Sequence, residues 1–159
     1  MASITRVATT TLLDEWPNKV PVQAAHLNVD SGVDTPNTAS YVRCQEAAGI
    51  NKRNEYGGYD FSAIPAGSVI TAIKVRQYSK NNEDLSTLQQ PGVEFSLRIN
   101  GVARAQKSFS VNTGGVDMAQ TAIFDSTGGI TRDELATPNA FSVRKHTFSS
   151  EVDPPIPDG

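Results

Sequence analysis

Val93-Glu94-Phe95-Ser96-Leu97-Arg98-Ile99 alternates apolar and polar side chains without a break. Residues two apart in a strand share a face, so Val93, Phe95, Leu97 and Ile99 form an apolar row and Glu94, Ser96 and Arg98 a polar one. The pattern predicts a strand with one face in a core and the other toward water. Asn100-Gly101 follows directly, and both residue types tolerate the positive φ that a two-residue hairpin turn demands. Val102 to Val111 then reads as the return strand.

Upstream, Ser68-Val69-Ile70-Thr71-Ala72-Ile73-Lys74-Val75-Arg76-Gln77-Tyr78 is rich in β-branched residues. Its second half alternates, with Ile73 and Val75 inward and Lys74 and Arg76 outward. Ile64-Pro65-Ala66-Gly67 before it is a turn, because Pro65 fixes φ and Gly67 accepts positive φ. Ser79 to Gly92, with Asn81-Asn82-Glu83-Asp84 and Pro91-Gly92, is expected to be a long exposed loop. Further strands are expected at Ala39 to Cys44, Tyr56 to Phe61, Gln120 to Phe124 and Ala140 to Phe148. The sole good helix signal is the capping box Thr131-Arg132-Asp133-Glu134, which Pro138 stops within about two turns. Roughly seven or eight short strands and one helical turn near 131–136 imply an all-β chain, an antiparallel β-sandwich of jelly-roll type. At 159 residues the length suits one such domain. The expected organisation is an extended N-terminal arm with the first strands over 1–37, the sandwich over 38–149, and a Pro-rich tail over 150–159.

The composition argues against several function classes. With 14 Lys+Arg against 17 Asp+Glu and a formal charge of -3, the chain lacks the cationic excess that drives counterion release, so no nucleic-acid partner is expected. His26 and His146 have no second ligand at zinc spacing, and a lone Cys44 makes neither a disulfide within the chain nor a metal cluster. Asp30-Ser31-Gly32-Val33-Asp34 is a turn rather than a calcium loop, since the other oxygen ligands are missing. No Gly-x-Ser-x-Gly elbow and no Gly-x-Gly-x-x-Gly motif occurs. The expectation is a non-enzyme without cofactor or metal. No run approaches the ~18 apolar residues of a membrane helix, and the N-terminus has no basic and apolar export pattern. Cytoplasmic synthesis and no membrane partner are therefore expected.

Two sets of residues are candidates for binding. The ends of the chain have little apolar periodicity and would gain order by lying on a neighbour. Trp16 beside Pro17 is the expected anchor in the first end, with capping of its own sandwich as the competing reading, and Val152, Pro154, Pro155, Ile156 and Pro157 form a polyproline-like strap in the second. The other set, Tyr56, Tyr59 and Phe61 around Gly57-Gly58, offers rings suited to stacking on a sugar, and packing in a sheet edge or core is the competing reading.

Tyr59-Asp60-Phe61-Ser62-Ala63-Ile64-Pro65-Ala66-Gly67-Ser68-Val69-Ile70-Thr71-Ala72-Ile73-Lys74-Val75 resembles a β-sandwich module of tailed-bacteriophage structural proteins, in which a Phe…Ile-Pro-x-Gly-Ala-x-Ile-x-Gly-Ile-x-Val strand leads into a loop and a Val-x-Leu strand. The later pieces are similar to Val93 to Leu97, Gly114-Gly115, Ile130 to Leu135 and Phe141-Ser142-Val143, and Asp34 to Tyr41 to the lead-in. The likeness spans about residues 30 to 148 and departs from the module at Ala72 and Ser142, where it carries glycines, and in the missing tryptophan before the helical turn. The resemblance implies a virion structural protein, in the first place a capsid decoration or cement protein that binds the major capsid protein or other virion subunits, as a homo-oligomer with a trimer favoured. It implies localisation in the virion after assembly in the host cytoplasm. The alternative is a tail, neck or fibre component with a glycan-binding face. No catalytic residue is carried over.

Overall fold

The computed structural model describes residues 3–16, 18–20, 41–43, 52–80, 89–110, 117–124 and 127–151. These form antiparallel strands and one short helix. The strands are β1 (Thr10–Asp14), β2 (Asn18–Val20), β3 (Tyr41–Arg43), β4 (Arg53–Gly57), β5 (Ile73–Lys80), β6 (Gln89–Ile99), β7 (Val102–Ser110), β8 (Asp117–Phe124) and β9 (Phe141–Glu151); the helix α1 is Arg132–Ala136. A five-stranded sheet runs in the order β1-β4-β9-β6-β7, and β2-β3 and β5-β8 form separate pairs.

The expected hairpin joins β6 to β7. Asn100 and Gly101 sit at φ 49 and 78, the left-handed pair that matches the twist of the flanking strands, and Ile99 faces Val102. Strand β6 is longer than expected and takes in Gln89 to Gly92, and β5 takes in Ser79 and Lys80, so the predicted loop is shorter at both ends. Within β6, Pro91 faces Ser149 of β9. Other boundaries also move. The strand expected over Tyr56 to Phe61 lies earlier, because Gly58 at φ 71 turns the chain and ends it. The strand expected from Ser68 starts at Ile73, where pairing with Phe124 begins. Strand β9 continues through Ser150 and Glu151 against Gln90 and Gln89, which shortens the expected tail. The capping box is complete: the Thr131 hydroxyl accepts from the Glu134 N–H, and the Glu134 carboxylate accepts from the Thr131 N–H. The Thr131 N–H first, then the Thr131 hydroxyl and Arg104, hold the Glu134 carboxyl below the usual carboxylate range.

Val93, Phe95, Leu97 and Ile99 form one wall of the core, joined by Phe141 and Val143 from β9. Strands β5 and β8 bring Ile73, Val75, Ala122 and Phe124 to the same core; in their register Ile73 faces Phe124 and Val75 faces Ala122, so all four lie on one side. The resemblance-bearing stretch contributes Phe61, Ile64 and Ile70 from irregular backbone. Arg132 clamps that stretch to the helix, with Nε and Nη2 donating to the Ile64 carbonyl at 2.8 and 2.7 Å.

The edge at β7 is guarded. A register shift at Leu97/Arg98 leaves Arg104 as the extra residue, and its backbone receives the Thr127–Gly129 turn so closely that a Cβ on Gly128 would lie 2.1 Å from the Arg104 carbonyl oxygen. Arg104 also pairs with Glu134, and Lys107 Nζ donates to the Ile123 carbonyl at 3.0 Å. A bulge, a covering turn and a lysine are the usual means of denying an edge strand to another chain.

Candidate functional site

The N-terminal arm crosses the end of β4 at Gly57-Gly58, and that crossing explains the glycine pair. Thr9 N–H donates to the Gly57 carbonyl at 3.0 Å, and its hydroxyl donates to the Gly58 carbonyl at 2.7 Å. Arg6 reaches the Asp60 carbonyl. A Cβ on Gly57 would come within 2.8 Å of Leu12 Cδ1, and one on Gly58 within 2.2 Å of Thr9 Oγ1. The arm lies against backbone that only glycine leaves bare. Gly58→Ala combines this clash with a positive φ, so a loss of about 1–3 kcal/mol is expected. Denaturant melts and limited proteolysis of the arm will measure it.

Held in this way, the arm presents apolar side chains to solvent: Ile4, Val7 and Leu12 are 37%, 48% and 53% exposed. Trp16, expected at a contact with a neighbour, is instead 5% exposed in the single chain. Its backbone N–H and that of Glu15 both donate to Asn54 Oδ1, at 3.2 and 3.1 Å, and Lys145 Nζ lies 4.2 Å from the centre of its ring. The indole is thus used within its own chain. Pro17, Val152, Pro154, Pro155, Ile156 and Pro157 lie outside the described residues, as do His26, Cys44 and Asp30 to Asp34.

Tyr56, Tyr59 and Phe61 do not make one open platform. Tyr59 and Phe61 stack at 6.2 Å and both meet Phe141 edge-on, at 5.5 and 5.7 Å, and both pack against the core. Tyr56 accepts from Asn54 Nδ2 at 3.2 Å. Burial pushes the Tyr56 phenol up from 10.0 to about 12, opposed by the Asn54 bond and aided by the Asp14 charge. Tyr59 is raised further, by burial first and by Tyr56 second. These shifts fix an alkaline response. As pH rises past about 10 the unfolded phenols lose protons that the native phenols keep, so stability is full below that point and falls toward about pH 12. The Tyr56 share is on the order of 2 kcal/mol. Urea midpoints at about pH 9 and pH 11, read beside tyrosinate absorbance, should separate, and Tyr56→Phe should narrow the gap.

The opposite face of the sheet carries a charge cluster that the alternation did not reveal. Glu55, 5% exposed, accepts from the Ser142 hydroxyl at 2.6 Å and from Arg144 Nε at 2.7 Å. Arg98 Nε stands 3.4 Å from its other side. Three strands are tied through one carboxylate whose oxygens are occupied, an arrangement suited to holding β4, β6 and β9 together rather than to moving protons. Among the described residues no group of three or more His, Cys, Asp or Glu is placed to hold a metal ion, and no helix is long and apolar enough to cross a membrane.

The residues that sequence reasoning missed are Asn54, Glu55 and Lys145. The chain matches no protein-family model, no curated protein and no solved structure.

Proposed function

We propose that this chain is a structural subunit of a tailed-phage virion, a capsid decoration or cement protein that joins the assembled shell by protein–protein contacts and carries out no turnover. Its body is read as a jelly-roll-like sandwich, with the β5–β8 pair as the second layer over the five-stranded sheet. The observation that carries the reading is the arm. Six large hydrophobic side chains are exposed among the described residues, and three of them, Ile4, Val7 and Leu12, fall within residues 4–12. They stand on a segment pinned by Thr9 and Arg6, so a partner would meet apolar side chains whose ordering cost is already met.

The phage resemblance rests on Phe61, Ile64, Ile70, Ile73 and Val75, all of which pack on the core, as a shared body plan requires. A tail, neck or fibre role with a glycan face is less favoured, since Tyr59 and Phe61 are engaged with Phe141. The partner is then the major capsid protein or another virion subunit, the oligomer a trimer, and the location the virion, reached after assembly in the host cytoplasm.

The test is co-sedimentation of the purified chain with heads of the phage that encodes it. Saturable binding to heads, weakened at least about tenfold by Val7→Asp with the β spectrum unchanged, is the expected result. Binding to tails alone, or to neither, would refute the decoration role.

A further inference from the structure

Asp14 on β1, Asn54 on β4, Lys145 on β9 and Phe95 on β6 are successive register partners across the sheet. Directly opposed residues share a face, with Cβ atoms about 4.5–5.5 Å apart. The Asn54 and Lys145 side chains thus leave neighbouring positions on one face, and both residues are buried: Asn54 is 0% exposed and Lys145 9%.

The surroundings of Asn54 are those of an activated acyl group. Its Oδ1 takes two backbone N–H bonds, from Glu15 at 3.1 Å and Trp16 at 3.2 Å. Two such donors polarise the carbonyl and would hold the charge that grows on oxygen under attack. Its Nδ2 donates to Tyr56 Oη at 3.2 Å, which sets a hydroxyl beside the nitrogen that would leave. The phenol keeps its proton, its pKa pushed up to about 12. Trp16 closes the site, with Lys145 Nζ 4.2 Å from its ring centre. A primary amide is a poor acyl donor in water, but enclosure with the nucleophile supplies a high effective concentration and keeps competing water out.

We propose that Lys145 and Asn54 join in an isopeptide bond that cross-links β9 to β4. The lone pair of Lys145 Nζ forms the new bond to Asn54 Cγ. The Cγ–Nδ2 bond breaks, and one proton passes from Nζ to the departing nitrogen through the Tyr56 hydroxyl, so that ammonia leaves. Nothing is oxidised or reduced, and no co-reactant is needed. A bond of this kind would fasten the strand beside the arm to the centre of the sheet.

Intact-mass measurement of the purified, folded chain after prolonged incubation tests the proposal. The expected result is a mass about 17 Da below that of the sequence, the ammonia released. Digestion should then yield a branched peptide containing Asn54 and Lys145. Lys145→Arg keeps a long side chain over Trp16 but no primary amine, so it should restore the full mass with an unchanged β spectrum, and Tyr56→Phe should slow the loss at least about tenfold. Asn100-Gly101 is also able to lose ammonia by closing a succinimide, so an ammonia loss that maps to Asn100 alone overturns the proposal. So does the full sequence mass in the parent chain, or an ammonia loss that persists in Lys145→Arg.

Discussion

Phe95→Ala is expected to lower the free energy of unfolding by about 3–5 kcal/mol, the range for truncating a fully buried aromatic ring. The ring is 2% exposed and lies between Val93 at 3% and Leu97 at 0%. Its cross-strand neighbours are Lys145 on β9 and Lys107 on β7, and neither is free to fill the space. Lys107 is held by the Ile123 carbonyl, and Lys145 lies over Trp16. Limited collapse of the cavity puts the cost in the upper part of the range. For a domain of this size each kcal/mol is worth about 2–4 °C, so the melting temperature should fall by roughly 6–20 °C. Urea titration followed by the emission of Trp16, the sole tryptophan, measures both variant and parent. A loss below about 1 kcal/mol would mean that the β6 wall is not the core.

Much of the β architecture was legible because the sheet is patterned at period two where one face is buried. Val93 to Ile99 declared its core face, and Asn100-Gly101 its turn. Thr131 and Glu134 declared the helix start, since a capping box is local in sequence. The readings that moved depended on partners far along the chain. Nothing in Ser68 to Ala72 says that pairing waits until Ile73, because that start is fixed by Phe124 on another strand. Nothing local to Gly57-Gly58 says that its glycines are needed because residues 9–12 lie on them. Weak periodicity around Trp16 points the indole to a neighbour; what the local sequence lacks is the Asn54 side chain, which caps two N–H groups 38 and 39 residues away. Polar residues on the second face were the least legible. Alternation says only that Arg98 and Arg144 point away from the apolar row, and they reach Glu55 because three separate strands fall into register.

That register makes Glu55→Gln the other large expected effect. The substitution keeps the shape and one acceptor oxygen but removes the charge facing Arg98 and Arg144. Breaking a buried pair costs about 3–5 kcal/mol when the remaining charge is sealed from water. Here the side chains of Arg98 and Arg144 are 14% and 25% exposed against 7% for Glu55, so both guanidiniums regain part of their hydration. A loss of about 2–3 kcal/mol is expected for that reason. Because the carboxylate is shielded, the loss should persist when salt is raised, unlike that of a surface pair. A double-mutant cycle with Arg144→Gln should give a coupling of about 1–3 kcal/mol, as befits a charge-assisted contact with two nitrogens on one oxygen. Should Glu55→Gln cost under about 1 kcal/mol in urea titrations, desolvation has cancelled the attraction, and the three strands are held by their ladders and the apolar face alone.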